Sequence, residues 1–196
     1  MRIQLSKDLK TISDYGNHLK NLTKDDRFTR FGYQISDPNI DALILDIVYN
    51  NTDHYLFTAI DFTAEQVVGY GHLVKAAGGW ELAVSVDREH QNRGAGGRLI
   101  KHMIEWGKLH QIDSVYMQCI TDNQRIKHLA EKYGLRVVER DGTEITALVE
   151  LPEANVFEHT VNNWREQQEI ISEIVRLQRR LILNSNPLTR IVNDAD

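Results

Sequence analysis

Gly94, Gly96 and Gly97 sit together in the stretch Val84 to Leu99, V-S-V-D-R-E-H-Q-N-R-G-A-G-G-R-L, where a strand-like run gives way to a helical one. Glycine accepts positive φ and lets a ligand approach the main chain, so this cluster leaves several backbone N–H groups pointing into one small space. Behind it, Ala95, Leu99, Met103 and Trp106, flanked by Ile100 and Ile104, keep helical spacing. A helix N-terminus adds partial positive charge to those N–H groups, so the segment suits a phosphate or pyrophosphate without needing a lysine. The plainer reading of the glycines is a tight strand-to-helix turn.

A Walker loop would need G-x-x-x-x-G-K-[ST], which is absent, and a dinucleotide loop should follow the first strand of a βαβ unit. Here the glycines come mid-chain after hairpin-like strands. Gln91-x-x-Gly94-x-Gly96, with Val86 before it and Leu99 after it, resembles motif A, (Q/R)-x-x-G-x-(G/A), of the GNAT superfamily of acyl-CoA-dependent N-acetyltransferases. Asn123 to Gly134-Leu135 is similar to a second segment of that family, N-x(10)-G-F, with leucine for phenylalanine. The resemblance implies acetyl-CoA as acyl donor, with Val84, Ser85 and Val86 pairing with its pantetheine arm. It implies that the N–H groups of Gln91, Asn92, Arg93, Gly94, Ala95, Gly96 and Gly97 hold the pyrophosphate, and that Asn123 touches the coenzyme. Asn123 also suits the start of a helix.

An amine acceptor brings a specific chemical problem. A lysine-like amine of pKa about 10.4 is an ammonium at neutral pH, and neutralising it costs about 4.6 kcal/mol. Attack on a thioester therefore calls for a base, direct or through water. Glu81 is the candidate, because Glu81-Leu82-Ala83-Val84-Ser85-Val86 resembles E-F-A-V-x-V of bacterial protein lysine acetyltransferases. Its plainer reading is a solvated charge on a strand. Leu22 to Phe31 echoes an L-x-P-E-D-R-x-x-R-F stretch of the same enzymes, which tilts the acceptor towards a protein lysine over a small amine. Where many family members carry a tyrosine as general acid, this chain has Ala130; Tyr133, one helical turn on, is the substitute candidate or a packing residue. Most of the catalysis would come from alignment of amine and thioester in a ternary complex.

Other residues carry weaker signals. Arg27 and Arg30 either face an acidic acceptor or pair with Asp25 and Asp26. His90 reads as a packing residue and Cys119 as a small buried hydrophobe. His54 and His72 lie near the sheet without a nameable partner.

The elements that position these groups follow from the hydrophobic pattern. Arg2 to Leu5 alternates as a strand; Ser6 is placed to cap a helix with Leu9, Ile12, Leu19 and Leu22 inward, weakened by Gly16; Asp25 to Phe31 reads as a polar connection with buried aromatic anchors. Ser36 or Asp37 caps a second helix with Pro38 in its first turn. Strands are expected over 55–61, 67–75 and 80–86, the last two joined at Gly78-Gly79. After the motif helix come a strand over 114–120, a helix capped by Thr121 or Asp122 and stopped by Gly134, and a hairpin turning at Asp141-Gly142. This β-α-α-β-β-β-α-β-α-β-β order defines an α+β class with a central mixed β-sheet flanked by helices, which is also the order of the GNAT fold. The domain is expected over residues 1–151.

Residues 152–196 form the expected C-terminal extension. Phe157, Val161, Trp164, Ile171, Val175 and Ile182 fall on heptad steps, with Gln168 and Gln178 completing the seam. An amphipathic helix over 156–184 would be about 43 Å long, so its apolar face must pack on the domain or on another chain, a homo-oligomer in the second case.

Composition sets the outer bounds. The chain has 196 residues, 41% hydrophobic and 26% charged, the balance of a soluble protein. A formal charge of −5 argues against nucleic acid as partner, and no apolar stretch approaches a membrane span. One cysteine and unpaired histidines give no metal-site spacing. A cytoplasmic N-acetyltransferase is the leading expectation; a non-catalytic acyl-CoA-binding module with a helical docking arm is the other.

Overall fold

The structure, a computed structural model, describes residues 1–121 and 123–152; the C-terminal helix expected over 156–184 and a cap at Asp122 lie outside them. Among the described residues one seven-stranded sheet runs in the order β1-β2-β3-β4-β5-β7-β6. Its strands are β1 (Arg2–Ser6), β2 (His54–Ile60), β3 (Val67–Ala76), β4 (Gly79–Val86), β5 (Ser114–Ile120), β6 (Arg136–Asp141) and β7 (Glu144–Glu150). All neighbours pair antiparallel except β4 and β5, so the sheet is mixed as expected. The turns expected at Gly78-Gly79 and Asp141-Gly142 close hairpins whose last pairs are Ala76↔Gly79 and Asp141↔Glu144.

Five helices flank the sheet among the described residues: α1 (Leu9–Asn21), α2 (Lys24–Phe31), α3 (Asp37–Tyr49), α4 (Ala95–Leu109) and α5 (Gln124–Lys132). Three of them precede β2, which corrects the two read from the sequence. The connection at Asp25–Phe31 is itself a helix, because Thr23 accepts the Asp26 N–H at 3.1 Å and Gly32, at φ 77, ends it in a left-handed turn. Its charged residues hide the period, and Phe28, taken for a buried anchor, is 38% exposed. A second correction concerns the first helix: its cap is Asp8, which accepts the Thr11 N–H at 2.8 Å, while Ser6 ends β1 and bonds the Asp8 carboxylate. For the next helix the cap is Ser36, with Pro38 in the first turn as expected.

Two cores result, one on each face of the sheet. On one face Leu99, Ile100 and Met103 of α4, all fully buried, pack over Phe57, Leu73 and Leu82. On the other, Ile12, Tyr15 and Leu19 of α1 and Ile40 and Ile47 of α3 pack over Leu56 and Tyr70. Each such side chain contributes about 1.5–3 kcal/mol by leaving water. Helices α1 and α3 meet closely enough that a methyl on Gly16 would stand 2.8 Å from Ile44, which is why glycine occupies the middle of α1. Strand alternation then assigns the side chains of β4: Leu82, Val84 and Val86 face α4, while Glu81, Ala83 and Ser85 face α1 and α2.

Candidate active site

Strands β4 and β5 pair only at Trp80↔Val115 and Glu81↔Tyr116 and then separate. The other edge of β4 stays paired with β3 along its whole length. The Asp87 N–H donates to the Val68 carbonyl at 3.0 Å, and bonded pairs alternate along an antiparallel ladder. Asp87, Ser85 and Ala83 therefore turn their main-chain groups to β3, and Val84 and Val86 turn theirs into the gap left by β5. The Val86 carbonyl takes the Gln91 side-chain amide there at 3.2 Å.

The chain then makes a single 3₁₀ turn, Arg88–His90, and enters α4. Gly94 caps this helix at φ 84, and a methyl on it would meet nothing within 4 Å, so conformation and not space requires glycine. Asn92 shares the left-handed region at φ 61. No side chain caps α4, which leaves the N–H groups of Ala95, Gly96 and Gly97 to an outside acceptor.

A cavity of about 300 Å³ occupies the gap. Of the residues singled out from the sequence, Val84, Ser85, Val86, Gln91, Asn92, Gly94, Ala95, Gly96, Gly97 and Asn123 line it, together with Arg30, His90 and Cys119. Arg93, Glu81 and Tyr133 do not. Glu81 stands at the paired end of β4, where its charge helps burial raise the phenol of Tyr116 above its ordinary value. Tyr133 packs under α4 beside Gly97.

The opposite wall comes from α2, whose Asp26, Thr29 and Arg30 line the cavity; Asp26 also accepts the Gln91 amide at 3.3 Å. Arg27 is committed elsewhere, to the Asp37 carboxylate at 2.7 Å and to the Ile35 and Lys20 carbonyls. Cys119 is buried in β5, and burial raises its thiol above the ordinary value, which disfavours the thiolate. His54 and His72 bond each other at 3.0 Å, away from the cavity.

The sequence reading missed His18 and Asp87. His18, on the inner face of α1, places Nδ1 2.9 Å from Asp87 Oδ1 and Nε2 2.8 Å from Ser85 Oγ. The hydrogen bond from His18 holds the Asp87 carboxyl below its ordinary value against the opposing effect of burial. The available signal was a histidine in register with Tyr15, Leu19 and Leu22 on the buried face, and an aspartate two residues after Ser85 on the same side of the strand.

The family model of the Acetyltransferase (GNAT) family matches residues 19–135, more than half of the chain. The chain belongs to the GNAT family of acetyltransferases. It is an acyl-CoA-dependent N-acetyltransferase, and the donor the family uses is acetyl-CoA. The GNAT fold is shared with solved structures at low identity. The spermidine N-acetyltransferase of Vibrio cholerae, in complex with CoA and spermine, aligns at TM-score 0.61 and 14% identity over 76% of this chain and 95% of its own. The GNAT domain of S. lividans PAT gives 0.63 and 13% over 76% and 90%. The ribosomal-protein-S5-alanine acetyltransferase of Vibrio fischeri gives 0.58 and 14% over 79% and 96%. No curated protein matches the chain at a significant level.

The GNAT site fits a coenzyme on its own geometry. Arg30 Nε and His90 Nδ1 are buried without a hydrogen-bond partner among the described residues, and both side chains line the cavity. Buried polar atoms of this kind mark where a ligand's own polar groups belong. Among the described residues no cluster of His, Cys, Asp and Glu is placed to hold a metal ion, and no helix is long and apolar enough to cross a membrane.

Proposed function

We propose that the protein transfers an acetyl group from acetyl-CoA directly to a primary amine within a ternary complex. The observation that carries this is the gap between β4 and β5, which runs into the uncapped first turn of α4. The main-chain groups of Val84 and Val86 hold the pantetheine arm as a neighbouring strand would, and the N–H groups from Gln91 to Gly97 hold the pyrophosphate. Bound there, acetyl-CoA supplies an activated acyl group as a thioester.

The acceptor approaches over the face of β4 that carries Glu81, Ala83 and Ser85, beneath Asp26, Thr29 and Arg30 of α2. Asp26 favours a cationic amine in this chamber. Glu81, at the closed end of the gap, takes the proton that turns the entering ammonium into an amine. A protein lysine is the favoured acceptor, on the resemblance of the Glu81 and Leu22 segments to lysine acetyltransferases. Spermidine and an alanine of ribosomal protein S5 are the acceptors named for two other structures of this fold.

Titration calorimetry with acetyl-CoA and CoA, followed by thiol release with spermidine, a lysine peptide and an alanine-ended peptide, tests the reading. Heat in the micromolar range and acetylation of one of these amines is expected. Absence of heat at millimolar coenzyme overturns it.

A further inference from the structure

Two protons must leave the acceptor nitrogen on the way from ammonium to amide, and one must reach the sulfur. Glu81 lies outside the cavity lining, and the hydroxyl of Tyr133 lies against Gly97 beneath α4. Neither therefore connects nitrogen to sulfur. Ser85 does line the cavity, and its hydroxyl is one end of a hydrogen-bonded chain that runs through His18 to Asp87.

We propose that His18, oriented by Asp87, carries a proton from the acceptor nitrogen to the coenzyme sulfur through the hydroxyl of Ser85. The inference rests on the transferase reading above. The Asp87 carboxylate at Nδ1 fixes the imidazole proton on that nitrogen and leaves the Nε2 lone pair facing Ser85 Oγ at 2.8 Å. As the bond between nitrogen and the acyl carbon forms, Ser85 accepts a proton from nitrogen and passes its own to Nε2. As the carbon–sulfur bond breaks, the same steps run in reverse and the proton ends on the departing thiolate. Atoms and charge balance: amine and thioester give amide and thiol, with His18 returned to its starting state. His18 is 9% exposed, so the imidazolium formed in between depends on the Asp87 charge beside it.

His18 is enclosed by aromatic and charged neighbours. Facing it are Tyr70 of β3, at a ring distance of 4.9 Å, and Asp87 with its neighbour His90 after β4; Asp14 and Tyr15 lie on its own helix, and Arg30 of α2 reaches the Tyr15 hydroxyl at 3.4 Å. Burial pushes the Tyr70 phenol far up, with Asp14, Asp87 and Tyr15 adding, so it stays neutral. The trio would also serve as a clamp between α1 and β4. A clamp needs the hydrogen bonds and not the exchange of a proton.

Nitrogen-detected NMR of the full chain reads the tautomer without any acceptor. A proton on Nδ1 and a bare Nε2 at neutral pH is expected, and Asp87→Asn should reverse it; a wild-type ring protonated on Nε2 alone overturns the relay. Rates with acetyl-CoA and the most active of spermidine, a lysine peptide and an alanine-ended peptide provide the second readout. His18→Gln and Ser85→Ala should lower kcat about 100-fold while KM for acetyl-CoA moves less than about twofold. Ser85→Thr, which keeps a hydroxyl, should recover activity to within about tenfold of wild type. Folded variants that keep kcat overturn the relay; a protein that binds no coenzyme and acetylates no amine overturns instead the reading beneath it.

Discussion

The phenol oxygen of Tyr133 lies against the backbone of Gly97, where an added methyl would stand 3.0 Å from it and 3.3 Å from Leu129. Helix α5 thereby supports the turn of α4 whose N–H groups face the cavity. Gly97→Ala must push the two helices apart by a few tenths of an ångström, so about 1–3 kcal/mol of stability and roughly tenfold in acetyl-CoA affinity should be lost. Urea midpoints and calorimetry read both. Tyr133→Phe removes the closest atom, and combining it with Gly97→Ala should restore part of the lost stability. By itself Tyr133→Phe should leave kcat within about threefold; a 100-fold fall would make the phenol the acid that protonates sulfur.

Glu81→Gln keeps the side chain's size and its place on β4 but removes the charge. Since Glu81 lies outside the cavity lining, coenzyme affinity should change less than about twofold, while kcat falls at least about tenfold. Unchanged turnover would remove Glu81 from the proton path.

Gln91 joins the Val86 carbonyl to the Asp26 carboxylate and so ties β4, the glycine loop and α2 together. A hydrogen bond of this kind contributes about 0.5–1.5 kcal/mol, so Gln91→Ala should weaken acetyl-CoA binding about tenfold. The acceptor's KM should rise as well, because α2 forms the acceptor-side wall. An effect confined to the coenzyme would show that the tie to α2 is idle.

Stability should fall in mild acid. Burial lowers His72 well below the ordinary histidine value, with Arg30 and His54 adding, and it lowers His54 against the pull of Asp46. The unfolded chain takes up these protons at a pH of about 6.5 while the folded chain resists them, so folding free energy is greatest above that pH and declines below it. The slope reaches about 1.4 kcal/mol per pH unit for each histidine. Urea midpoints at pH 7.5 and 5.5 measure it, and His72→Leu should shrink the difference. Equal midpoints for the wild-type chain would show that neither histidine resists protonation.

The glycine loop and the sheet could be read from residues alone because each obeys a local rule. Strands β5 and β7 start and stop where alternation starts and stops, at Ser114–Ile120 and Glu144–Glu150. Helix α2 was lost because Lys24 to Arg30 is dominated by charge, although its ends, Thr23 and Gly32, are a recognisable cap and stop. His18 was illegible for a different reason. Its partners are 67 and 69 residues away, and only the packing of α1 across β3 and β4 brings them together. Local pattern reports which face a residue takes and says nothing of what waits there.

Only Trp80↔Val115 and Glu81↔Tyr116 stitch β4 to β5, so the sheet is two blankets sewn along a short seam. A coenzyme lying in the gap acts as the missing thread, closing main-chain bonds that the protein leaves open for it. Amide exchange at Val84 and Val86 should therefore slow on binding more than at Ala83 and Ser85, which β3 already shields.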